Sequence, residues 1–253
     1  MNKIALITGA TSGIGLATAR IFAEKNYDLI ITGRRKERLD KLRKELLKNN
    51  NQIRMLALAF DVRSLSEVVE NLGNLDSDWQ NIDVLLNNAG LAVGFHHIDE
   101  GVIDDWERMI DTNIKGLLYI TRVVSQGMVK RGKGHILNIG SIAGKEVYEN
   151  GNVYCATKHA VDALSRSMRI DLVEHGIKVS NIAPGLVKTE FSDVRFKGDK
   201  EKAEVPYTGM KPLSGEDIAD VIYYCVSLPD HVNIDDVLIM PTAQASATIV
   251  HRD

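Results

Sequence analysis

The segment KIALITGATSGIG (residues 3–15) joins a short aliphatic run to a glycine-rich turn, and the helix-favouring segment LATARIFAEK (16–25) follows it directly. Glycine lets the backbone turn tightly, and the first turn of a helix offers unpaired N–H groups together with the positive end of the helix dipole. A strand, a glycine turn and a helix in this order predict the first βα unit of a nucleotide-binding α/β sheet, with a pyrophosphate lying over the turn.

The glycines of this turn follow the pattern G-x-x-x-G-x-G rather than the more common dinucleotide spacing. The physical requirement is the same, because the backbone has to approach the phosphates closely. The predicted cofactor contacts in the turn are Gly9, Thr11, Ser12, Gly13, Ile14 and Gly15.

Short aliphatic runs recur along the whole chain and alternate with amphipathic stretches of helical length. Continuous apolar runs of this kind are typical of parallel strands that are covered on both faces. We therefore predict one α/β domain over residues 1–253, a doubly wound, mostly parallel seven-stranded sheet with helices on both faces (a Rossmann fold). The predicted strands are residues 3–8, 28–33, 53–60, 82–87, 134–141, 177–184 and 235–241.

One segment, at about residues 186–212, does not fit this alternation, since it is polar and mixed in charge and follows the end of a predicted strand. Ligands of such sheets lie beyond the carboxyl ends of the strands, so an insertion at this point favours a substrate lid. A plain surface excursion is the alternative.

The composition excludes several classes of protein. Hydrophobic residues make up 44% and charged residues 26% of the 253 residues, which argues against disorder. The formal net charge of −3 provides no electrostatic footprint for nucleic acid or an anionic membrane. Two cysteines, Cys155 and Cys225, lie far apart without metal or redox spacing, and the first apolar run is too short for a signal peptide. These features favour a cytoplasmic protein.

The second predicted strand ends in Gly33-Arg34-Arg35, where an NAD site would be expected to carry a carboxylate for the ribose 2′-hydroxyl. Two guanidinium groups, well shaped for a phosphate, stand there instead. Arginines that only solvate a helix start are a weaker explanation, because cations are mildly unfavourable at a helix N-terminus. Arg34 and Arg35 therefore predict NADP(H) as the cofactor.

The reactive groups are predicted from Ser141, which ends the fifth strand, and from Tyr154 and Lys158, which lie one helical turn apart. An effective acid–base needs a pKa near the working pH, so a tyrosine would have to be shifted from about 10 to about 7, which requires about 4 kcal/mol. A unit charge about 4 Å away at an effective dielectric constant of 20 supplies about this much, with help from the positive charge of the oxidised nicotinamide. We expect Tyr154 to be the acid–base, Lys158 to lower its pKa, Ser141 to hold the substrate oxygen, and Asn113 to order water towards Lys158.

These motifs together resemble the short-chain dehydrogenase/reductase family, from the first strand to the last. Its Thr-Gly-x-x-x-Gly-x-Gly turn corresponds to residues 8–15 and its Asn-Asn-Ala-Gly motif to residues 87–90, and no departure occurs at the catalytic positions. Those positions are Asn113, Ser141, Tyr154 and Lys158. The cofactor contacts that the resemblance implies are Tyr154 and Lys158, Asp61 and Val62 at the adenine, Asn88, Ala89 and Gly90, and Pro184, Gly185, Val187 and Thr189 at the nicotinamide end.

Two stretches, IDTNIKGLLYITR (110–122) and APGLVKTEFSDVRFKGDKEKAE (183–204), are similar to the NADP-dependent 3-hydroxy acid dehydrogenases that act on serine and allo-threonine. This resemblance implies a small hydroxy acid such as 3-hydroxyisobutyrate as substrate and a homotetrameric assembly. Arg195, in the predicted lid, is the candidate for the substrate carboxylate, with a solvated lid residue as the alternative.

Other functions stay open at this point. The basic pair Arg131 and Lys133 could meet an acidic acyl carrier protein, as in a 3-ketoacyl reductase, and a broad carbonyl reductase is a related reading. A non-catalytic nucleotide-binding protein would be expected to have lost at least one reactive residue, and none is lost. His96 and His97 are adjacent loop residues without a carboxylate cluster, so no metal site is predicted.

Overall fold

The computed structural model describes residues 2–253, and its centre is a single sheet of seven parallel strands. Its strand order is β3-β2-β1-β4-β5-β6-β7. This confirms the predicted doubly wound sheet, with every pairing parallel rather than most of them. The strands are β1 (Ile4–Ile7), β2 (Asp28–Gly33), β3 (Met55–Ala59), β4 (Ile82–Asn87), β5 (Gly134–Ile139), β6 (Ile177–Pro184) and β7 (Asp236–Ile239).

Helices cover both faces of this sheet. They are α1 (Gly13–Glu24), α2 (Lys36–Asn49), α3 (Leu65–Gly73), α4 (Ile103–Ile110), α5 (Leu117–Arg131), α6 (Asn152–Leu172), α7 (Phe191–Arg195), α8 (Lys200–Glu204) and α9 (Gly215–Ser227). Among residues 2–253, no helix has both the length and the apolar character needed to cross a membrane.

The hydrophobic core is divided by the sheet into two layers, because successive side chains of a strand point to opposite faces. In β1, Ala5 and Ile7 pack with α1, α2 and α9, whereas Ile4 and Leu6 pack with α3, α5 and α6. Because both faces of the sheet are buried, the strand sequences are continuous apolar runs.

The strand order reverses direction between β1 and β4, which are adjacent in the sheet. At such a switch point the loops after the two strands diverge, and a crevice opens beyond their carboxyl ends. The glycine turn follows β1 and the Asn-Asn-Ala-Gly segment follows β4, so both line this crevice.

The predicted lid is more regular than its polar sequence indicates. Helices α7 and α8 and a 3-10 turn at Val205–Tyr207 lie between β6 and α9. The segment is closed at its base by a bridge between Val187 and Leu213. Its hydroxyl groups are also used internally, since Ser192 and Tyr207 share a 2.7 Å hydrogen bond.

Candidate active site

A cavity of about 550 Å³ extends along the carboxyl ends of the strands, from the arginines after β2 to the lid. It brings together most residues that the sequence predicts for the site, although they are distributed over the first 195 positions. Those lining it are Gly9, Thr11, Ser12, Gly13, Ile14, Arg34, Arg35, Asp61, Val62, Asn88, Ala89, Gly90, Ser141, Tyr154, Lys158, Pro184, Gly185, Val187, Thr189 and Arg195.

Two predicted residues, Gly15 and Asn113, lie behind the cavity wall. A Cβ atom at position 15 would lie 2.6 Å from the Gly9 carbonyl oxygen and 2.5 Å from the Asn88 amide nitrogen. Gly15 therefore permits the close packing of the turn. Asn113 is buried behind Gly90. A Cβ atom at position 90 would lie 3.3 Å from the Oδ1 of Asn113.

The glycine turn is hydrogen-bonded to the segment that follows β4. The Asn88 amide nitrogen donates to the carbonyl oxygens of Thr8 and Gly9, at 2.8 and 3.1 Å, and the Thr8 hydroxyl accepts from the backbone N–H of Asn88. Gly13, at the start of α1, has a φ of +54°, which disfavours other residues. These contacts leave a preformed anion cradle at the helix N-terminus.

At the arginine end, Arg35 contacts the glycine turn directly. Its guanidinium donates to the Thr11 hydroxyl at 2.7 Å and to the Ser12 hydroxyl at 3.1 Å. The remaining nitrogen of the same guanidinium, Nη1, faces the lid and donates to the Glu190 carboxylate at 2.9 Å. The sequence reasoning missed Glu190, which lies 155 positions from Arg35 and has no local motif to mark it.

Asp61, which is predicted to contact the adenine, also forms an ion pair that the sequence did not predict. Its carboxylate accepts from the Arg63 guanidinium at 2.7 Å. Burial raises the pKa of Asp61, but the hydrogen bonds and charge of Arg63, with the charge of Arg34, outweigh this and lower it overall. Asp61 therefore stays ionised near Arg34.

At the reactive end, Tyr154 and Lys158 project from one face of α6 into the cavity. Their side chains are 8% and 7% exposed. The Lys158 ammonium lies 6.0 Å from the Tyr154 ring centroid and donates to the Ile139 carbonyl oxygen at 2.7 Å. Ser141 follows β5, and its hydroxyl accepts from the Ala143 N–H at 3.1 Å.

The pKa of Tyr154 differs from the sequence-based expectation. Burial raises it above its ordinary value, and Ser141 and Arg195 offset only part of that rise. Burial also lowers the pKa of Lys158 from 10.5 to about 8. In the protein alone the ammonium therefore does not bring the pKa of the tyrosine near 7, because removing both groups from water opposes both charges. The expected help from the positive charge of the oxidised nicotinamide stays a prediction.

The Asn113 side chain forms hydrogen bonds with two other segments, and its expected role in ordering water stays a prediction. Its Nδ2 donates to the Leu91 carbonyl oxygen at 2.8 Å and to the Thr157 hydroxyl at 3.0 Å, while its Oδ1 accepts from the Leu91 N–H at 2.9 Å. Asn113 thus braces the segment after β4 against α6. It lies in a π-helical segment, Asp111–Gly116, between α4 and α5.

Arg195 reaches the reactive end from the end of α7. Its guanidinium carbon lies 4.8, 5.3 and 5.5 Å from the ring centroids of Phe95, Tyr148 and Tyr154. Nη1 donates to the Tyr148 hydroxyl at 2.9 Å, and the buried Nε has no hydrogen-bond partner in the described part of the chain. Within residues 2–253, no carboxylate lies at ion-pair distance from Arg195. A cation held by aromatic rings without an acid offers a place for an anionic ligand.

The aromatic residues around Arg195 were not predicted. Phe95, Tyr148 and Phe191 come from three separate segments, and the Phe191 ring lies 5.6 Å from that of Tyr154, centroid to centroid. Nothing in their local sequence marks them as neighbours. The C-terminal segment QASATIVHRD (244–253) has no motif that indicates its contacts.

In the structure this C-terminal segment folds back on its own chain. Gln244 accepts from the Leu186 N–H at 2.8 Å, and the Arg252 guanidinium donates to the Pro206 and Thr208 carbonyl oxygens. Ala247 lines the cavity. The segment therefore forms the outer wall of the lid.

These features define an oxidoreductase of one known class. The chain belongs to the short-chain dehydrogenase/reductase family, since residues 3–200 match the model described as short chain dehydrogenase. It is 48% identical over 251 residues to the NADP-dependent 3-hydroxy acid dehydrogenase of Salmonella typhi, covering 98% of this chain and 99% of that protein. It is 42% identical over 255 residues to sulfoacetaldehyde reductase 2 of Chromohalobacter salexigens, covering all of both.

The fold is also similar to solved structures. A closed form of serine dehydrogenase complexed with NADP+ superimposes with a TM-score of 0.91 at 46% identity, covering 99% of this chain and 100% of that one. This agreement confirms the predicted family and fold.

Proposed function

We propose that the protein transfers a hydride between NADP(H) and a small 3-hydroxy acid, such as serine, allo-threonine or 3-hydroxyisobutyrate, or its keto form. The observation that carries this proposal is Arg195, whose guanidinium carbon lies 5.5 Å from the ring centroid of Tyr154 and which has no acidic partner among residues 2–253. Two similar proteins, a 3-hydroxy acid dehydrogenase and a serine dehydrogenase, support the substrate class.

The cavity has the features that NADP(H) would require. The glycine turn leads directly into α1, whose N-terminal N–H groups could hold a pyrophosphate. Arg34 and Arg35 offer guanidinium groups for the 2′-phosphate. Asp61 and Val62 would contact the adenine, and the residues from Asn88 to Gly90 and from Pro184 to Thr189 would contact the nicotinamide half. When bound, the nicotinamide supplies the hydride acceptor or donor, and its oxidised form carries a positive charge.

In the reduction direction, the buried Tyr154 is protonated at neutral pH because burial raises its pKa. Its hydroxyl donates a proton to the carbonyl oxygen as the hydride reaches the carbonyl carbon, so the oxygen becomes a hydroxyl group. Ser141 donates a hydrogen bond to the same oxygen and fixes its position. Reduction therefore leaves Tyr154 as a phenolate, which the Lys158 ammonium stabilises. In the oxidation direction this phenolate takes the hydroxyl proton of the substrate and becomes the neutral phenol.

Arg195 would orient the substrate by its carboxylate. A guanidinium binds planar oxyanions with two parallel hydrogen bonds, and its stacking on Phe95 and Tyr148 limits its motion. A relative that reduces sulfoacetaldehyde supports an anion-binding group in this part of the cavity. The carboxylate would then hold the neighbouring carbon and oxygen against Tyr154.

The contacts of Arg131 argue against the hypothesis that the protein reduces 3-ketoacyl groups on an acyl carrier protein. Its guanidinium donates to the carbonyl oxygens of Gln80 and Ile82, so it stabilises the end of α5 within its own chain. Two of its nitrogens are thus engaged by the backbone of its own chain.

We also propose that residues 1–253 act as one domain, that residues 186–212 serve as its lid, and that the protein is a cytoplasmic homotetramer. Large apolar side chains exposed at one end of α6, Ile170 at 75% and the following Val173 at 67%, support association of subunits. Light scattering coupled to gel filtration would measure the number of subunits.

The decisive experiment is a panel of small 3-hydroxy acids and plain alcohols with NADP and NAD, followed by the absorbance of the reduced cofactor. We expect turnover of the hydroxy acids with NADP. Turnover of an acetoacetyl thioester with none of the hydroxy acids would contradict the proposal.

A further inference from the structure

Glu190 occupies a position that the proposed mechanism does not use. Its carboxylate bridges two arginines, with Arg35 at 2.9 Å and Arg38 at 2.6 Å. Burial raises the pKa of Glu190, but the hydrogen bonds from both arginines outweigh this and lower it overall, so the group is ionised. A negative charge of the protein itself thus lies in the cluster of cations after β2.

The same cluster is where a 2′-phosphate would bind, and Arg35 has little capacity left for it. Two nitrogens of its guanidinium donate to Thr11 and Ser12, and the third donates to Glu190. These four hydrogen bonds use four of the five N–H donors, which point in fixed directions, so a phosphate that binds Arg35 through two parallel hydrogen bonds has to replace one of these acceptors. The carboxylate is the acceptor that a phosphate resembles most.

Glu190 also belongs to the lid and precedes α7 directly. On one side of it, the Thr189 side chain lies over the glycine turn, 3.1 Å from where a Gly13 Cβ atom would stand. On the other side, Phe191 packs on Tyr154 and α7 ends in Arg195. The ion pairs of Glu190 with Arg35 and Arg38 therefore connect the start of the lid to the segment after β2, across the opening of the cavity.

We propose that Glu190 is an internal competitor of the cofactor's 2′-phosphate: its carboxylate holds Arg35 and Arg38 while no nucleotide is bound, and the phosphate displaces it from Arg35. This proposal rests on the proposed use of NADP(H). Displacement loosens the start of the lid as the nucleotide enters, and Glu190 keeps Arg38 as its partner. Glu190 then sets how strongly the protein favours phosphorylated over unphosphorylated cofactor.

The test compares wild-type protein with Glu190→Gln by direct binding of NADPH, NADH and 2′,5′-ADP, measured by fluorescence and calorimetry. Removing one like charge near the phosphate should tighten NADPH and 2′,5′-ADP about three- to ten-fold at low salt and less at high salt. NADH should change by less than about two-fold. The matched control is Glu204→Gln, which removes another lid carboxylate, paired with Lys188 at 2.7 Å, and should leave all three affinities unchanged.

A second measurement follows the lid without any nucleotide. Trypsin cleaves after Arg195, Lys197, Lys200 and Lys202, and cleavage there should be faster in Glu190→Gln than in wild-type protein because the ties to Arg35 and Arg38 are lost. In an Arg35→Gln background, adding Glu190→Gln should change 2′,5′-ADP binding by less than about two-fold, because the shared partner is already absent.

The outcomes separate the two proposals. Wild-type protein that binds NADPH no more tightly than NADH would overturn the proposed cofactor and the competition with it. A clear wild-type preference for NADPH that Glu190→Gln leaves unchanged or weakens would overturn the competition alone. Equal tightening of NADPH and NADH would also overturn it, since the effect would then not involve the 2′-phosphate.

Discussion

The two ends of the cavity use similar charged groups in opposite surroundings. At the reactive end, Tyr154 and Lys158 are at least nine-tenths buried, and burial moves both pKa values toward the uncharged forms. At the phosphate end, the side chains of Arg35 and Glu190 are 43% and 44% exposed and stay charged. Burial therefore favours the uncharged forms at the reactive end, whereas exposure to solvent leaves charged groups that can attract a ligand at the phosphate end.

This difference has a consequence for how each end responds to change. A buried polar group has no water to replace a lost partner, so substitutions at the reactive end should have large effects. Exposed ion pairs are screened by solvent and salt, and substitutions at the phosphate end should change protein stability little.

The largest effect is expected for Tyr154→Phe, which removes the proton donor and leaves the ring in place. We expect kcat to fall about 10²- to 10⁴-fold, which is far more than the change in NADPH affinity from the loss of one contact. The matched control is Tyr27→Phe, another buried tyrosine, whose pKa burial raises to about 12 and which lies in the core away from the cavity. Full activity of Tyr154→Phe would remove the tyrosine from the mechanism.

The second largest effect is expected for Arg195→Leu. Loss of a charge-assisted hydrogen bond to the substrate should lower kcat/KM for a hydroxy acid by about 10- to 100-fold. A neutral alcohol should be affected far less. Lys202→Leu, which removes another lid cation, paired with Asp199, is the control. An equal loss on both substrates would show that Arg195 does not bind the carboxylate.

An intermediate effect is expected from Lys158 on stability at different pH values. Because its pKa is lowered to about 8 in the folded protein from 10.5, the unfolded chain binds more protons between these values. Stability from this group is therefore lowest below pH 8 and increases as the pH rises towards 10.5. Between pH 7.5 and 9.5 the gain should be about 2 kcal/mol.

Urea unfolding of wild-type protein and of Lys158→Met at both pH values measures this gain. All other titrating groups are common to the two proteins, so the difference between their pH responses isolates Lys158. Identical pH responses would contradict the lowered pKa.

The smallest effect is expected for Arg38→Gln at the phosphate end. The Arg38 and Glu190 side chains are 46% and 44% exposed, so loss of their ion pair should change the free energy of unfolding by less than about 1 kcal/mol. Urea unfolding at low and at physiological salt provides the measurement. A loss of several kcal/mol would show that the two ends of the cavity do not differ as described.

Local sequence predicted well those parts of the site that lie within one strand, turn and helix. The glycine turn, the arginines after β2 and the pair on α6 could be recognised because each depends on neighbours a few residues away. The effect of Lys158 on Tyr154 could not be predicted, because it depends on how much water both groups lose. Asn113 was placed correctly beside the site, but its hydrogen bonds to Leu91 depend on the path of the chain after β4.

By itself the sequence determined the order of strands and helices, the family and the chemical type of each reactive residue, since apolar periodicity and short motifs act over a few residues. Only the tertiary structure decided that Glu190 would meet Arg35 and that Phe95 and Tyr148 would enclose Arg195. These contacts join segments that are far apart in the chain, and they form only when the sheet brings the ends of its strands to one edge.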